Sequence, residues 1–235
     1  MRAKVAVVAL TMPGGGRKKG VEIPYALIQA KSLSMESLRV RLKIYQVGET
    51  ILRQQARPLS TEEIRSAPVK QLIELMRETM RNAPGVGLAA PQVGQELQLA
   101  VIEDRPENMQ NIPPELLTER ERSPVPFHVI INPKLRLESD LSVDFFEGCL
   151  SIANFMALVP RAATVRVECL DHHAEPVELN ARGWYARILQ HEIDHLSGKL
   201  YIDQMRPRSF MTHDNFIRYW NNTPIEQVRS ILGTH

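Results

Sequence analysis

His191-Glu192-Ile193-Asp194-His195 brings two imidazoles and a carboxylate together within five residues. On a helix of 3.6 residues per turn, positions i and i+4 project the same way, so His191 and His195 can meet one cation. Glu192 is rotated by about 100° from the first histidine, near enough to act as a base on a metal-held water without being a ligand. The flanks predict the helix. Between Trp184 and Leu196, the residues Tyr185, Ile188, Leu189, Ile193 and Leu196 are apolar, while Arg187, Gln190, Asp194 and Ser197 form a polar stripe at helical spacing. Gly198 supplies the stop.

The third ligand decides the kind of site. Metzincins carry a histidine six residues after the second, but Tyr201 stands there, and neither His213 nor His235 has a matching spacing. Glu226 is the only glutamate after Glu192, so the usual zinc-protease completions fail. Upstream, Glu147-Gly148-Cys149-Leu150-Ser151 offers a thiolate beside a glycine, a strong ligand for zinc or ferrous iron. With His191 and His195 it makes three ligands and one open position, the pattern of a catalytic metal. Read alone, Cys149 is first a small buried hydrophobe, with a disulfide to Cys169 and a thiol nucleophile paired with a histidine as rivals; those two leave Glu192 inside the histidine pair unexplained. A further segment, Gly85-Val86-Gly87-Leu88-Ala89-Ala90-Pro91-Gln92-Val93-Gly94, lacks the lysine of a phosphate loop and the third glycine of a dinucleotide fingerprint. Read alone it is first a tight packed turn; its glycines can also expose backbone to an extended peptide, and the Gln92 amide can donate to a developing oxyanion.

Together these segments resemble the three signature motifs of the peptide deformylases: Gly-x-Gly-Leu-Ala-Ala-x-Gln at 85–92, Glu-Gly-Cys-Leu-Ser at 147–151 and Gln-His-Glu-x-Asp-His-Leu-x-Gly at 190–198. The likeness runs from about Val40, where Arg41-Leu42-Lys43-Ile44-Tyr45 resembles the family's first strand, to about Asp203. It implies an α+β fold with antiparallel sheets packed around a central metal-binding helix. It also implies that Cys149, His191 and His195 bind one divalent metal, Fe²⁺ first, with Zn²⁺, Ni²⁺ or Co²⁺ as alternatives. Glu192 is then the general acid/base, and hydroxide on the metal attacks the formyl carbonyl of an N-formyl-methionyl peptide, releasing formate. The Gln92 side chain and the Leu150 backbone N–H hold the oxyanion. Val86, Gly87, Trp184 and Ile188 are implied in substrate binding, and Met156 stands where many bacterial relatives carry a substrate-contacting arginine. Glu147 is implied to pair with Arg161, since a charge buried beside a ligand needs a partner. A general zinc metallopeptidase and a non-catalytic peptide-binding relative are the rival readings; the complete set Gln92, Cys149, His191, Glu192 and His195 argues against the second.

Composition agrees. The 235 residues, 43% hydrophobic, can bury one substantial core. A net charge of +2 gives no reason to expect nucleic-acid binding. Two cysteines make no disulfide framework, and no apolar run is long enough to cross a bilayer. The expected partners are the formylated peptide and, transiently, the ribosome; oligomeric state is left open. A bacterial cytoplasm is expected, with mitochondrion or plastid as alternatives. Residues 1–38 read as a disordered or targeting extension, 39–205 as the catalytic domain and 206–235 as a C-terminal extension with a short helix.

Ser60-Thr61-Glu62-Glu63 predicts a capped helix with Val69, Leu72, Ile73, Met76 and Met80 inward. Leu97–Glu103, Phe127–Pro133, Ala163–Asp171 and Pro176–Ala181 read as strands. The proline- and charge-rich stretch from Asp104 to Pro126 reads as a surface loop. Thr223-Pro224-Ile225-Glu226 starts a last helix, with Val228 and Leu232 inward and Gly233 at its stop.

Overall fold

Ser60 opens the helical part of the chain as its spacing predicts. In the computed structural model, which describes residues 41–233, the Ser60 hydroxyl accepts from the Glu63 N–H while the Glu63 carboxylate accepts from the Ser60 N–H at 2.8 Å, a reciprocal cap. The expected single helix is in fact two, α1 (Thr61–Arg65) and α2 (Ala67–Arg81). Pro68 has no N–H to return to the preceding turn, so it is tolerated only in the first turn of a new helix, which Ser66 caps. Val69, Leu72, Ile73, Met76 and Met80 are all buried.

The strands are β1 (Gly87–Ala89), β2 (Leu99–Asp104), β3 (Val125–Leu137), β4 (Ser142–Cys149), β5 (Ile152–Ala162), β6 (Thr164–Leu170) and β7 (Pro176–Arg182), with the short β8 (Met211–Thr212) later. They form two antiparallel sheets, β1-β2-β3-β6-β7 and β4-β5-β8. The metal helix of the sequence reading runs over Gly183–Leu196. It packs against strands of both sheets, giving the expected α+β arrangement around one central helix. Every side of this helix therefore has protein against it. Much of its polar stripe is therefore buried: Arg187 and Gln190 are only 4% and 6% exposed.

Three other readings are corrected. Residues 41–45 form no strand; their backbone is satisfied piecemeal, Leu42 N–H donating to Thr79 Oγ1 at 3.0 Å and Tyr45 N–H to the Gln92 carbonyl at 2.8 Å. The stretch from Asp104 to Pro126 holds a helix, α3 (Pro114–Glu119), and buries Met109 and Leu116, so it is packed structure and no plain surface loop. Strands β4 and β5 were not read as strands, because their alternation is interrupted by glycine, cysteine and polar residues that belong to the site.

Numbering the helix Gly183–Leu196 as α4, the chain ends with α5 (His213–Tyr219) and α6 (Ile225–Leu232). Val228 is buried and Gly233 takes φ +60° at the stop, as the spacing predicts. Phe216 and Val228 pack with Phe146 and Leu158 of the second sheet, joined by Met156 and Leu232. Arg206 and Arg229 both pair with buried Asp144 on β4. The expected extension of residues 1–38 lies outside the described residues.

Candidate metal centre

Two segments far apart in sequence, 85–92 and 147–151, meet beside α4, which carries the third. The β4–β5 register shifts between Gly148 and Cys149, an irregularity that re-aims the strand end, and Cys149 Sγ comes to lie 3.3 Å from His195 Nε2. The donor atoms of Cys149, His191 and His195 all lie within 4.8 Å of one another, compact enough for a single ion to touch all three. One thiolate and two imidazoles suit a first-row divalent metal, so the donor set fits.

Behind the ligands stands Glu147. Its Oε2 accepts from His191 Nδ1 at 2.9 Å and from Arg161 Nη2 at 3.0 Å; its Oε1 accepts from Arg161 Nε at 3.0 Å and from Arg187 Nη1 at 2.7 Å. Bonding Nδ1 in this way leaves His191 Nε2 available to an ion, as in carboxylate–histidine–metal arrangements. Burial alone would raise the Glu147 pKa, but Arg161, the His191 hydrogen bond and Arg187 hold it well below the usual carboxylate range. The expected Glu147–Arg161 pair is present, and Arg161 Nη1 reaches Asp194 as well. Arg187 is the residue the sequence reading missed. It also donates to the Val159 and Val143 carbonyls at 2.8 and 2.5 Å. A cation in the stripe of a helix expected at the centre of the fold was the signal available.

Glu192 has different surroundings. It is 4% exposed, and its Oε2 is buried without a hydrogen-bond partner among the described residues. Burial, with the nearby charge of Glu147, pushes its pKa up to about 7. Gly87 is what makes room for it, since a Cβ there would lie 2.1 Å from Glu192 Oε1. Gln92 is fixed at both ends of its amide: Oε1 accepts from the Ala89 N–H at 2.8 Å, so Nε2 faces Ser151 Oγ at 3.1 Å and Cys149 Sγ at 3.5 Å.

Gln92, Glu147, Cys149, His191 and Glu192 line a cleft of about 600 Å³, also bordered by Val86, Gly87, Leu150, Met156, Trp184 and Ile188. All five residues expected at the substrate thus border one space. Met156 crosses Gly148, where an added Cβ would meet its Sδ at 2.7 Å, and its contacts extend to the C-terminal helices. Sequence reasoning did not foresee that Ile112, Arg120 and Arg122, and His213, Phe216 and Asn221 from the C-terminal part, also border the cleft.

The family model described as polypeptide deformylase matches residues 41–210. Peptide deformylase 1A, chloroplastic, of Solanum lycopersicum is 45% identical over 172 residues, which is 73% of this chain; the chain spans only 62% of that relative's length. Peptide deformylase, mitochondrial, of Homo sapiens is 39% identical over 167 residues, covering 71% of this chain and 69% of the relative. Among solved structures, the Met-Ala-Ser-bound class I type b peptide deformylase from Acinetobacter baumannii superposes with a TM-score of 0.63 at 33% identity, covering 71% of this chain and 99% of that one. A peptide deformylase from Synechococcus elongatus in complex with actinonin gives 0.59 at 37% identity, covering 70% and 79%.

Proposed function

Since this chain belongs to the polypeptide deformylase family, we propose that it hydrolyses the formyl group from the N-terminal formyl-methionine of nascent polypeptides and releases formate. The observation that carries this reading is a buried, uncompensated carboxylate, Glu192, beside a Cys149–His191–His195 donor set at one peptide-sized cleft.

Cys149, His191 and His195 hold the metal, with Fe²⁺ as the proposed ion and Zn²⁺, Ni²⁺ or Co²⁺ as substitutes. When bound it supplies Lewis acidity and brings the pKa of water toward neutrality. Glu192 takes a proton from the attacking water and delivers it to the departing amine, a task suited to a carboxyl whose pKa lies near the working pH. The Gln92 Nε2–H and the Leu150 backbone N–H donate to the charge that develops on the formyl oxygen, each such donor contributing about 3–4 kcal/mol to lowering the barrier. Gly87 lets the substrate backbone approach, and Val86, Trp184, Ile188 and Met156 surround the methionine side chain, whose burial contributes about 1.5–3 kcal/mol. Glu147, held by Arg161, orients His191.

A peptide ligand is supported by the relative crystallised with Met-Ala-Ser, and the ribosome is a transient partner. We assign the protein to a compartment whose translation starts on formyl-methionine, a bacterial cytoplasm first, with the mitochondrion and plastid of its organellar relatives as alternatives. The proposed catalytic domain is 39–205, with 1–38 and 206–235 as extensions.

Formate release from a formyl-Met-Ala-Ser peptide, measured with anaerobically prepared protein and with bound metal quantified, tests the reading. Turnover lost in Glu192→Gln with metal retained supports it; a metal-replete protein that releases no formate overturns it.

A further inference from the structure

The segment between β2 and β3 is fastened to the start of α4 at several points. Asp104, fully buried, accepts a two-point bond from Arg122 at 2.8 and 3.0 Å and a third from Asn108 at 3.1 Å. The clamped Arg122 guanidinium lies 4.9 Å from the centre of the Trp184 ring, and that of Arg120 lies 5.8 Å away, both within cation–π range. Trp184 N–H donates to the Arg120 carbonyl at 2.9 Å, and Arg182 pairs with Glu121 through two bonds. Gly183 takes φ +57° and permits the close approach, since a Cβ there would lie 2.5 Å from Glu121 Cβ and 2.9 Å from the Arg120 carbonyl oxygen. The indole also meets Phe145 edge to face, with ring centroids 6.4 Å apart. Its Nε1 is buried with no hydrogen-bond partner among the described residues, so aromatic and cationic contacts hold the ring where polar ones do not.

We infer that this segment is a specificity wall: Arg122, anchored by Asp104, is a positioning residue that fixes the Trp184 indole at the edge of the cleft and so sets which N-terminal side chain the cleft accepts. The inference rests on the proposed deformylase activity for its substrate. An indole free to swing would leave a slot of variable width, admitting small and large side chains alike. Pinned, it gives one width, and the energy difference between side chains comes from fit. The charge pair is buried, so removing the arginine alone would strand Asp104; both charges are best removed together.

The test uses metal-loaded protein carrying Trp220→Phe, which leaves Trp184 as the sole indole. Asp104→Asn with Arg122→Met is expected to shift Trp184 emission to the red and to raise its quenching by acrylamide. KM for a formyl-Met peptide rises by about threefold to tenfold with kcat within about twofold, and the preference over a formyl-Ala peptide narrows correspondingly. Gly183→Ala pushes the segment off the helix start while leaving the ion pair alone, and it is expected to move emission and KM in the same direction. Unchanged emission and unchanged selectivity in whichever of these variants folds overturns the inference. A parent protein that releases no formate counts against the proposed function instead, and the emission measurements still decide whether the segment pins Trp184.

Discussion

Two buried glutamates stand within reach of the same histidine and have opposite characters. Glu147 accepts four hydrogen bonds from Arg161, Arg187 and His191 and is held ionised. Glu192 sits against the backbone of Gly87 with one oxygen unpartnered among the described residues, and burial lifts it to about 7. Their side-chain chemistry is the same, so the difference lies in what the fold sets around each. One region supplies cations and fixes a charge, while the other withholds partners and leaves a proton mobile. That division between a carboxylate that holds and one that exchanges is what the proposed reaction requires.

The comparison can be broken at either end. The largest effect is expected from Glu192→Gln, which should lower formate release by about 10²–10⁴-fold while leaving the denaturant midpoint unchanged or raised, because no partner is lost. Glu147→Gln should do the reverse in kind. It takes the ion-pair partner from buried Arg187 and leaves Arg161 with Asp194 alone, and is expected to cost about 3–5 kcal/mol of stability, read by urea unfolding of the metal-free protein. A variant of Glu147 as stable as the parent would contradict the account of the network. Gly87→Ala probes the space that Glu192 and the substrate backbone share: the new methyl must displace the carboxylate, at an expected cost of about 1–3 kcal/mol, with activity falling more than stability.

The smallest effect tests the same rule away from the metal. His128 Nδ1 donates to the Pro126 carbonyl at 2.9 Å, so in the neutral ring Nε2 accepts from the Tyr185 hydroxyl at 3.0 Å. Burial holds the His128 pKa below its ordinary value of 6.5, only partly offset by the Pro126 carbonyl. The unfolded chain therefore binds the proton more readily. The contribution of His128 to stability is complete above about pH 6.5 and is lost as pH falls through the folded value. A shallow decline in Tm on acidification, reduced in His128→Gln, is the expected outcome; a decline of equal size in the variant would rule His128 out as its source.

The legible parts of this molecule were those whose pattern is local. Glu63 returning to Ser60, the apolar repeat from Val69 to Met80 and the pair His191 and His195 each follow from the geometry of one helix, and each is found where the spacing puts it. The α+β arrangement followed from the family likeness. What escaped depends on distant segments. Arg187 reads as a surface cation until β4 and β5 are known to cover it, and Arg122 reads as loop charge until Asp104 is known to be buried. Strands β4 and β5 were obscured because functional residues interrupt the alternation that marks a strand. The polar residues lining the cleft are likewise set by pairing across the fold, which no single window of sequence contains.

The donors of the centre also carry a timetable. Cys149 precedes His191 by 42 residues and His195 by 46, and Glu147 waits for Arg187 as well as Arg161. A chain emerging from its own ribosome has a thiol long before it has imidazoles to share an ion with. Assembly of this donor set is consequently a late event in the life of each copy, available only after α4 has been made and seated between the sheets. An ion held by all three donors marks a chain whose synthesis has passed residue 195, with Tyr201, Phe216 and Val228 still to join the core.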